Sequence, residues 1–312
     1  MFYKNSLKLI ASNFSVVWKH LVYILLVGIL SVGLIFAFAG PSVECLRQSG
    51  WFDTATSLIS TIYTEPTNMV ATIREIVSTF FTVLQGNFSI IWFSIIGLVF
   101  TGYLIPTFLL GIGYYNLTSI THKQLTSLLS VGYTQNLVST FGSATKYSLV
   151  RLVFKLIFDF FKLFFVIMLF GFSDSIWTSL LCLSILSALL ILITSLEITF
   201  FSGFSPLMVD KGGNPFKCLL KSIACVFKKF EKVFSNSIIL TLTCVLVNVF
   251  IGLFTAFSGL LITIPATNVL IAYFGNVVYL TCLGQRYYLS PSIIVNPLNN
   301  ETKPFDDNNG AN

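Results

Sequence analysis

Residues 146 to 172 read KYSLVRLVFKLIFDFFKLFFVIMLFGF, and how that stretch is read decides the fold. It is apolar enough for a bilayer, yet Arg151, Lys155, Asp159 and Lys162 interrupt it. At about 100° per residue the four fall at roughly 0°, 40°, 80° and 20°, within one arc of a helix. A membrane-crossing helix must turn such an arc toward other protein, toward water or toward the interface, because hydrocarbon does not solvate charge. Placed in the membrane, this stretch requires neighbouring spans to receive it.

The rest of the chain supplies them. Of 312 residues, 55% are hydrophobic and 10% are charged, and the mean hydropathy is +0.87. Soluble domains carry about 25% charged residues. Several apolar runs exceed the roughly 18 residues that mark a transmembrane helix. The expected fold is therefore an all-α, polytopic membrane bundle of six transmembrane helices in three hairpins, with amphipathic interfacial helices. The spans fall at about 21–39, 88–112, 150–172, 176–201, 237–257 and 260–284 of a single domain, 1–290. An external loop, 40–87, and cytoplasmic loops, 113–149 and 202–236, connect them, and 291–312 read as a disordered cytoplasmic tail. Nearly all of the 32 Phe residues lie in or beside the spans and are read as packing.

Residues 3 to 20 show one apolar stripe (Leu7, Ile10, Ala11, Phe14, Val17, Trp18, Leu21) flanked by Lys4, Lys8 and Lys19. That pattern fits a helix lying in the membrane interface. Ala37-Phe38-Ala39 resembles a signal-peptidase site, but the apolar run is too extended, so no cleavage is expected. In the external loop, Thr64-Glu65-Pro66 marks a helix start ahead of a second stripe from Met69 to Leu84. Pro106 should kink the second span. Asn116-Leu117-Thr118 fits a glycosylation acceptor but falls on the cytoplasmic side of this topology. Phe216 to Phe234 form a further amphipathic stripe amid six lysines from Lys211 to Lys232.

Charge sets the orientation. With the N-terminus inside, 16 of the 18 Lys and Arg residues fall on the cytoplasmic side, leaving only Arg47 and Arg74 outside. The positive-inside rule then places both termini in the cytoplasm of a cell-membrane protein. A shift of 213 residues also aligns Lys4 with Lys217, Leu7 with Leu220, Lys8 with Lys221, Ile10 with Ile223, Ala11 with Ala224 and Phe14 with Phe227. Each segment leads into a span. The chain reads as three hairpins, each entered through cationic, interface-seeking sequence.

Residues 206 to 222, PLMVDKGGNPFKCLLKS, resemble the cytoplasmic loop of bacterial six-span proteins related to the membrane domain of glycerophosphoryl diester phosphodiesterases. Pro206, Val209 and Asp210, then Cys218, Leu219, Lys221 and Ser222, carry the resemblance; Gly113-Tyr114 and Leu128-Leu129 are also similar. The chain departs from the pattern in lacking the usual Ala before Leu219. The resemblance implies a six-span fold and no activity, since nothing in the chain matches the catalytic phosphodiesterase domain.

Two groups of residues are candidate sites. The first is the intramembrane polar cluster Arg151, Lys155, Asp159, Lys162 and Glu197. If spans three and four turn near Ser173-Asp174, Glu197 lies opposite Arg151 to within about one turn of helix. Asp159 has Lys155 and Lys162 at helical spacing. The cluster is either a structural brace or a polar path for an ion, proton or head group; the near pairing of each acid favours the brace. The second group, Lys217, Lys221, Lys228, Lys229 and Lys232, is a candidate contact for anionic lipid, each lysine contributing about 1 kcal/mol near an acidic leaflet. Asn248, Asn268 and Asn276, within spans, are expected to hydrogen-bond across helices.

Enzyme signatures are missing: no HExxH, no phosphate loop and no Gly-x-Ser-x-Gly, and only His20 and His122 as histidines. No catalytic residue, cofactor or metal is expected, and the six cysteines offer neither CxxC nor an external pair. Expected partners are the bilayer, its anionic lipids and other membrane proteins. Nucleic acid is excluded because the basic residues track the membrane boundary. The leading class is a membrane-embedded accessory or scaffold protein. The rival is a transporter or channel using the polar face of span three.

Overall fold

The computed structural model describes residues 2–64, 68–86, 88–171, 176–290, 292–297 and 301–304. Twelve α-helices account for most of them: α1 (Phe2–Ser12), α2 (Ser15–Gln48), α3 (Trp51–Thr64), α4 (Met69–Gly86), α5 (Phe88–Leu98), α6 (Ile105–Ser127), α7 (Tyr133–Gly171), α8 (Ile176–Phe201), α9 (Phe204–Lys211), α10 (Pro215–Phe227), α11 (Phe230–Phe254) and α12 (Leu260–Leu283). Six π-helical residues, Val99–Leu104, join α5 to α6. Pro106, which has no amide hydrogen to donate, follows at once, and Ile105 donates to the Phe100 carbonyl instead.

Five stretches are long and apolar enough to cross a membrane: Ser15–Pro41, Trp92–Ser127, Trp177–Lys211, Phe230–Phe254 and Leu260–Leu283. They correspond to five of the six expected spans. The sixth, α7, runs from Tyr133 rather than 150, and its four charges set it apart from the others.

The contacts group the chain into two compact units, where the sequence reads as one domain of 1–290. One comprises Met1–Leu26, Phe108–Phe158 and Ile191–Asn312; the other comprises Val27–Thr107 and Asp159–Leu190. In the first unit α12 is the hub. Every residue from Ala272 to Leu280 is buried, and α1, α9, α10 and α11 all pack on this helix. A helix apolar on all sides is one that neighbours surround. In the second unit α3 packs on α4, with the Trp51 and Phe80 rings 5.6 Å apart between centroids. The Arg74 guanidinium donates to the Gly171 carbonyl at 2.9 Å.

Several expectations need correction. The cytoplasmic loop 113–149 is not a loop: α6 continues to Ser127 and α7 starts at Tyr133, leaving five connecting residues. Its Ser and Thr side chains satisfy carbonyls of their own helix, Thr118 on Tyr114, Thr121 on Leu117 and Thr126 on His122. A polar composition therefore does not break the helix here. In the external loop 40–87 the expected stripe from Met69 to Leu84 is helical in α4, while the end of α2 and all of α3 add helix that was not expected; Glu65-Pro66 of the proposed start lie outside the described residues. The basic segment 202–236 holds α9, α10 and the start of α11 rather than one continuous amphipathic helix.

The stretch read as a disordered tail contains strand at Ile293–Asn296 and Glu301–Pro304. Strands β1 (Tyr287–Ser290), β2 (Ile293–Asn296) and β3 (Glu301–Pro304) form an antiparallel sheet. Tyr287 pairs with Val295, and Val295 with Thr302. Tyr287 and Val295 are fully buried, and the Asn5 amide donates to the Tyr287 hydroxyl at 2.8 Å. Aromatic and β-branched residues on either side of Ser290–Ser292 are a hairpin signal. Residues 305–312 lie outside the described chain.

The 213-residue repeat extends to burial. Asn5, Ser6 and Leu9 are buried as are their counterparts Cys218, Leu219 and Ser222, while Lys4, Leu7 and Lys8 are exposed as are Lys217, Leu220 and Lys221. Both helices bury one face that mixes apolar with polar side chains, Phe2, Asn5, Ser6 and Leu9 on α1 and Cys218, Leu219, Ser222 and Val226 on α10, and leave Leu7 and Leu220 exposed. A short break follows each before a long apolar helix, at Asn13–Phe14 and at Lys228–Lys229. Helix α10 starts on Asn214, whose side chain accepts from the Phe216 amide at 3.0 Å, with Pro215 at the first helical position. Asn214→Ala is expected to cost about 1 kcal/mol, read as a small fall in melting temperature of the purified protein in detergent.

Candidate functional site

The arc of α7 faces inward. Arg151, Lys155, Asp159 and Lys162 are all partly buried, whereas Val153, Leu156, Ile157, Phe160, Phe161, Leu163 and Phe164 are exposed. Helical geometry imposes this: four charges within one arc leave an apolar remainder to the surroundings. Along this stretch the charged arc is partly buried and the apolar remainder is exposed.

The five residues of the cluster fall into two groups. In the first unit the Glu197 carboxylate of α8 lies 3.6 Å from the Lys155 Nζ, one turn from the expected register opposite Arg151. Arg151 stacks its guanidinium over the Tyr114 ring, 4.6 Å from the centroid, a cation–π contact. Arg151 and Glu197 also line one small cavity of about 40 Å³, together with Tyr114, Tyr147 and Ser202. The Tyr147 hydroxyl is buried without a hydrogen-bond partner. In the second unit Lys162 Nζ sits 3.1 Å from Asp159 Oδ1, and the Tyr103 hydroxyl donates to Asp159 Oδ2 at 2.5 Å. Tyr103 belongs to the π-helical turn ahead of Pro106, a distortion found often at functional sites.

The five lysines Lys217, Lys221, Lys228, Lys229 and Lys232 are all exposed, on α10, the break after it and α11. Lys217, Lys221 and Lys228 run beside an exposed apolar row of Phe216, Leu220 and Phe227. Lys229 differs, donating to the Thr281 carbonyl at 3.0 Å.

Sequence reasoning missed a buried polar network between α6, α7 and α12. Asn276 donates to Thr121 Oγ1 at 2.7 Å and to the Thr118 carbonyl at 3.2 Å. Its Oδ1 lies 3.0 Å from His122 Nδ1. The Tyr273 hydroxyl donates to Gln124, and that of Tyr279 to Asp210. Lys123 donates to Asn136 at 2.7 Å, and Asn136 to Asn116. Asn276 was expected to bond across helices; its partners in the supposed loop were not. Asn248, by contrast, bonds the Cys244 carbonyl of its own helix. Tyr133, which bonds His20 at 3.0 Å, has its phenol held well above the ordinary range by burial, so it stays neutral.

Among the described residues no three His, Cys, Asp or Glu side chains converge on a metal-sized site. No family model, curated protein or solved structure matches the chain.

Proposed function

We propose that this chain is a multi-pass cell-membrane protein of six crossings, α7 included, with both termini cytoplasmic. It acts as an accessory or scaffold protein that contacts anionic lipids and other membrane proteins, with no catalytic step of its own. The observation that carries this reading is the pairing along α7. Asp159 is engaged by Lys162 and Tyr103, Lys155 by Glu197, and Arg151 by the Tyr114 ring. Charges matched this closely brace a bundle; a conducting path needs groups that exchange partners with what moves. The outward stripes of α1 and α10, edged with lysine, supply the lipid contact. The likeness to six-span proteins related to the phosphodiesterase membrane domain belongs to this proposal and concerns fold alone.

The cavity beside Arg151 and Glu197, with its unbonded Tyr147 hydroxyl, favours the rival transporter reading. Asp159→Asn separates the two. A brace that loses its charge destabilises the protein by about 1–2 kcal/mol, and the variant should melt earlier while flux through proteoliposomes stays at background. A variant that keeps the wild-type melting temperature while ion or solute flux changes would replace the scaffold reading with the transporter.

A further inference from the structure

A second recess, unrelated to the α7 charges, lies where α9, α10 and the end of α12 meet. It holds about 450 Å³ of empty space, part of it open to solvent. Lys211 and Lys221 stand at its mouth, and Leu207, Val226 and Leu283 form apolar walls. Ser222 belongs to its lining and is 2% exposed. The Ser222 hydroxyl has no hydrogen-bond partner, an arrangement that costs stability unless something else satisfies the group.

Gly203 keeps the space open. A methyl group there would sit 2.7 Å from Ser222 Oγ and fill the floor of the recess. Asp210, which precedes Lys211 in the chain, is engaged by the Tyr279 hydroxyl at 2.7 Å. Neither Lys211 nor Lys221 has an ion pair among the described residues. Two ammonium groups, an unmet hydroxyl and a greasy wall together match a phosphate group carried on an apolar body.

We propose that this recess binds a phosphate group, with Lys211 and Lys221 neutralising its charge and Ser222 donating to one of its oxygens. The exposed apolar row of α10, Phe216, Leu220 and Phe227, opens beside it toward the lipid surface. A phospholipid headgroup and free phosphate share this chemistry. The inference rests on the lipid-contacting reading above and gives that reading a defined site.

The test uses the full chain purified in neutral detergent, with melting temperature followed against three probes: short-chain phosphatidic acid, short-chain phosphatidylcholine and inorganic phosphate. Phosphatidic acid should stabilise the protein and phosphatidylcholine should not. Ser222→Ala should weaken that binding roughly tenfold, as loss of a hydrogen bond to a charged group does, without lowering the melting temperature of the ligand-free protein. Lys211→Gln with Lys221→Gln should abolish it. Lys146→Gln with Arg286→Gln, which removes as much charge from exposed positions outside the recess, should leave it intact.

If inorganic phosphate reproduces the full effect, the site stands and its ligand is a soluble phosphate. If Lys146→Gln with Arg286→Gln weakens binding as much as the recess variants, the attraction is diffuse; the recess proposal then fails while lipid contact survives. If no phosphate-bearing probe changes the melting temperature, the recess proposal fails, and the absence of vesicle binding by the same protein would take the lipid-contacting reading with it.

Discussion

Gly275→Ala is expected to lower the stability of the purified protein by about 3 kcal/mol, the upper part of the range for overpacking. The methyl group would lie 2.7 Å from the carbonyl oxygen of Ser202, with the Ser202 carbonyl carbon and Cα within 3.7 Å. Ser202 occupies the turn between α8 and α9. Backbone cannot rotate aside as a side chain does, so α12 or that turn must shift. Because α12 is the hub of its unit, the displacement reaches α1, α9, α10 and α11. Small residues at such crossings let helices approach closely where packing replaces the hydrophobic effect. Gly28→Ala is the control: it has no neighbour within 4 Å, and alanine favours the helix by roughly 0.5–1 kcal/mol. Thermal unfolding should show a fall of several degrees for Gly275→Ala and none for Gly28→Ala. Equal behaviour of the two would remove α12 from its central place.

Glu197→Ala carries the other large effect, about 3–5 kcal/mol for a charge left unpaired in a poorly solvated site. The Glu197 side chain is 12% exposed and that of Lys155 26%. Removing the carboxylate leaves two cations, Lys155 and Arg151, sharing a face of α7 with no acid on α8 to oppose them. Desolvated cations are what a bilayer penalises most. Lys155→Ala on its own should cost less, because Arg151, which lines one cavity with Glu197, still supplies a cation to the carboxylate. Combined with Glu197→Ala it should recover part of the loss, giving a coupling energy on the order of 1 kcal/mol or more in a double-mutant cycle. Strict additivity would mean that the 3.6 Å pair does not brace the hairpin.

Much of the helical architecture was legible because it rests on apolar length, which a one-dimensional reading measures well. Ile176–Phe201 and Leu260–Leu283 fall within a residue of their expected bounds. The ion pairs of α7 followed from angular arithmetic and hairpin register, with Glu197 displaced by one turn onto Lys155. What failed were the polar stretches. Residues 113 to 127 look like a loop because Ser, Thr, Asn and His are common there, yet these side chains find backbone carbonyls or partners on α7 and α12. Only the density of such residues immediately after a span hinted at it. The strands near the C-terminal end went unread for a related reason: the polar residues after them hid the Tyr287–Leu289 and Ile293–Val295 runs. The recess at Ser222 lay beyond sequence reasoning altogether, since an orphaned hydroxyl is a property of three helices meeting.

The central claim is that α7 crosses the membrane with its charges paired inside. It is tested most directly by placing single cysteines at Ser130, in the connection before α7, and at Thr178, in the first turn of α8, within a chain whose six native cysteines are replaced. Both positions are exposed. Labelled with a membrane-impermeant maleimide from each side of sealed vesicles, Ser130→Cys should react only from the cytoplasmic side and Thr178→Cys only from the opposite one. Reaction of both from the same side would show that α7 does not cross, and the six-span account would be wrong.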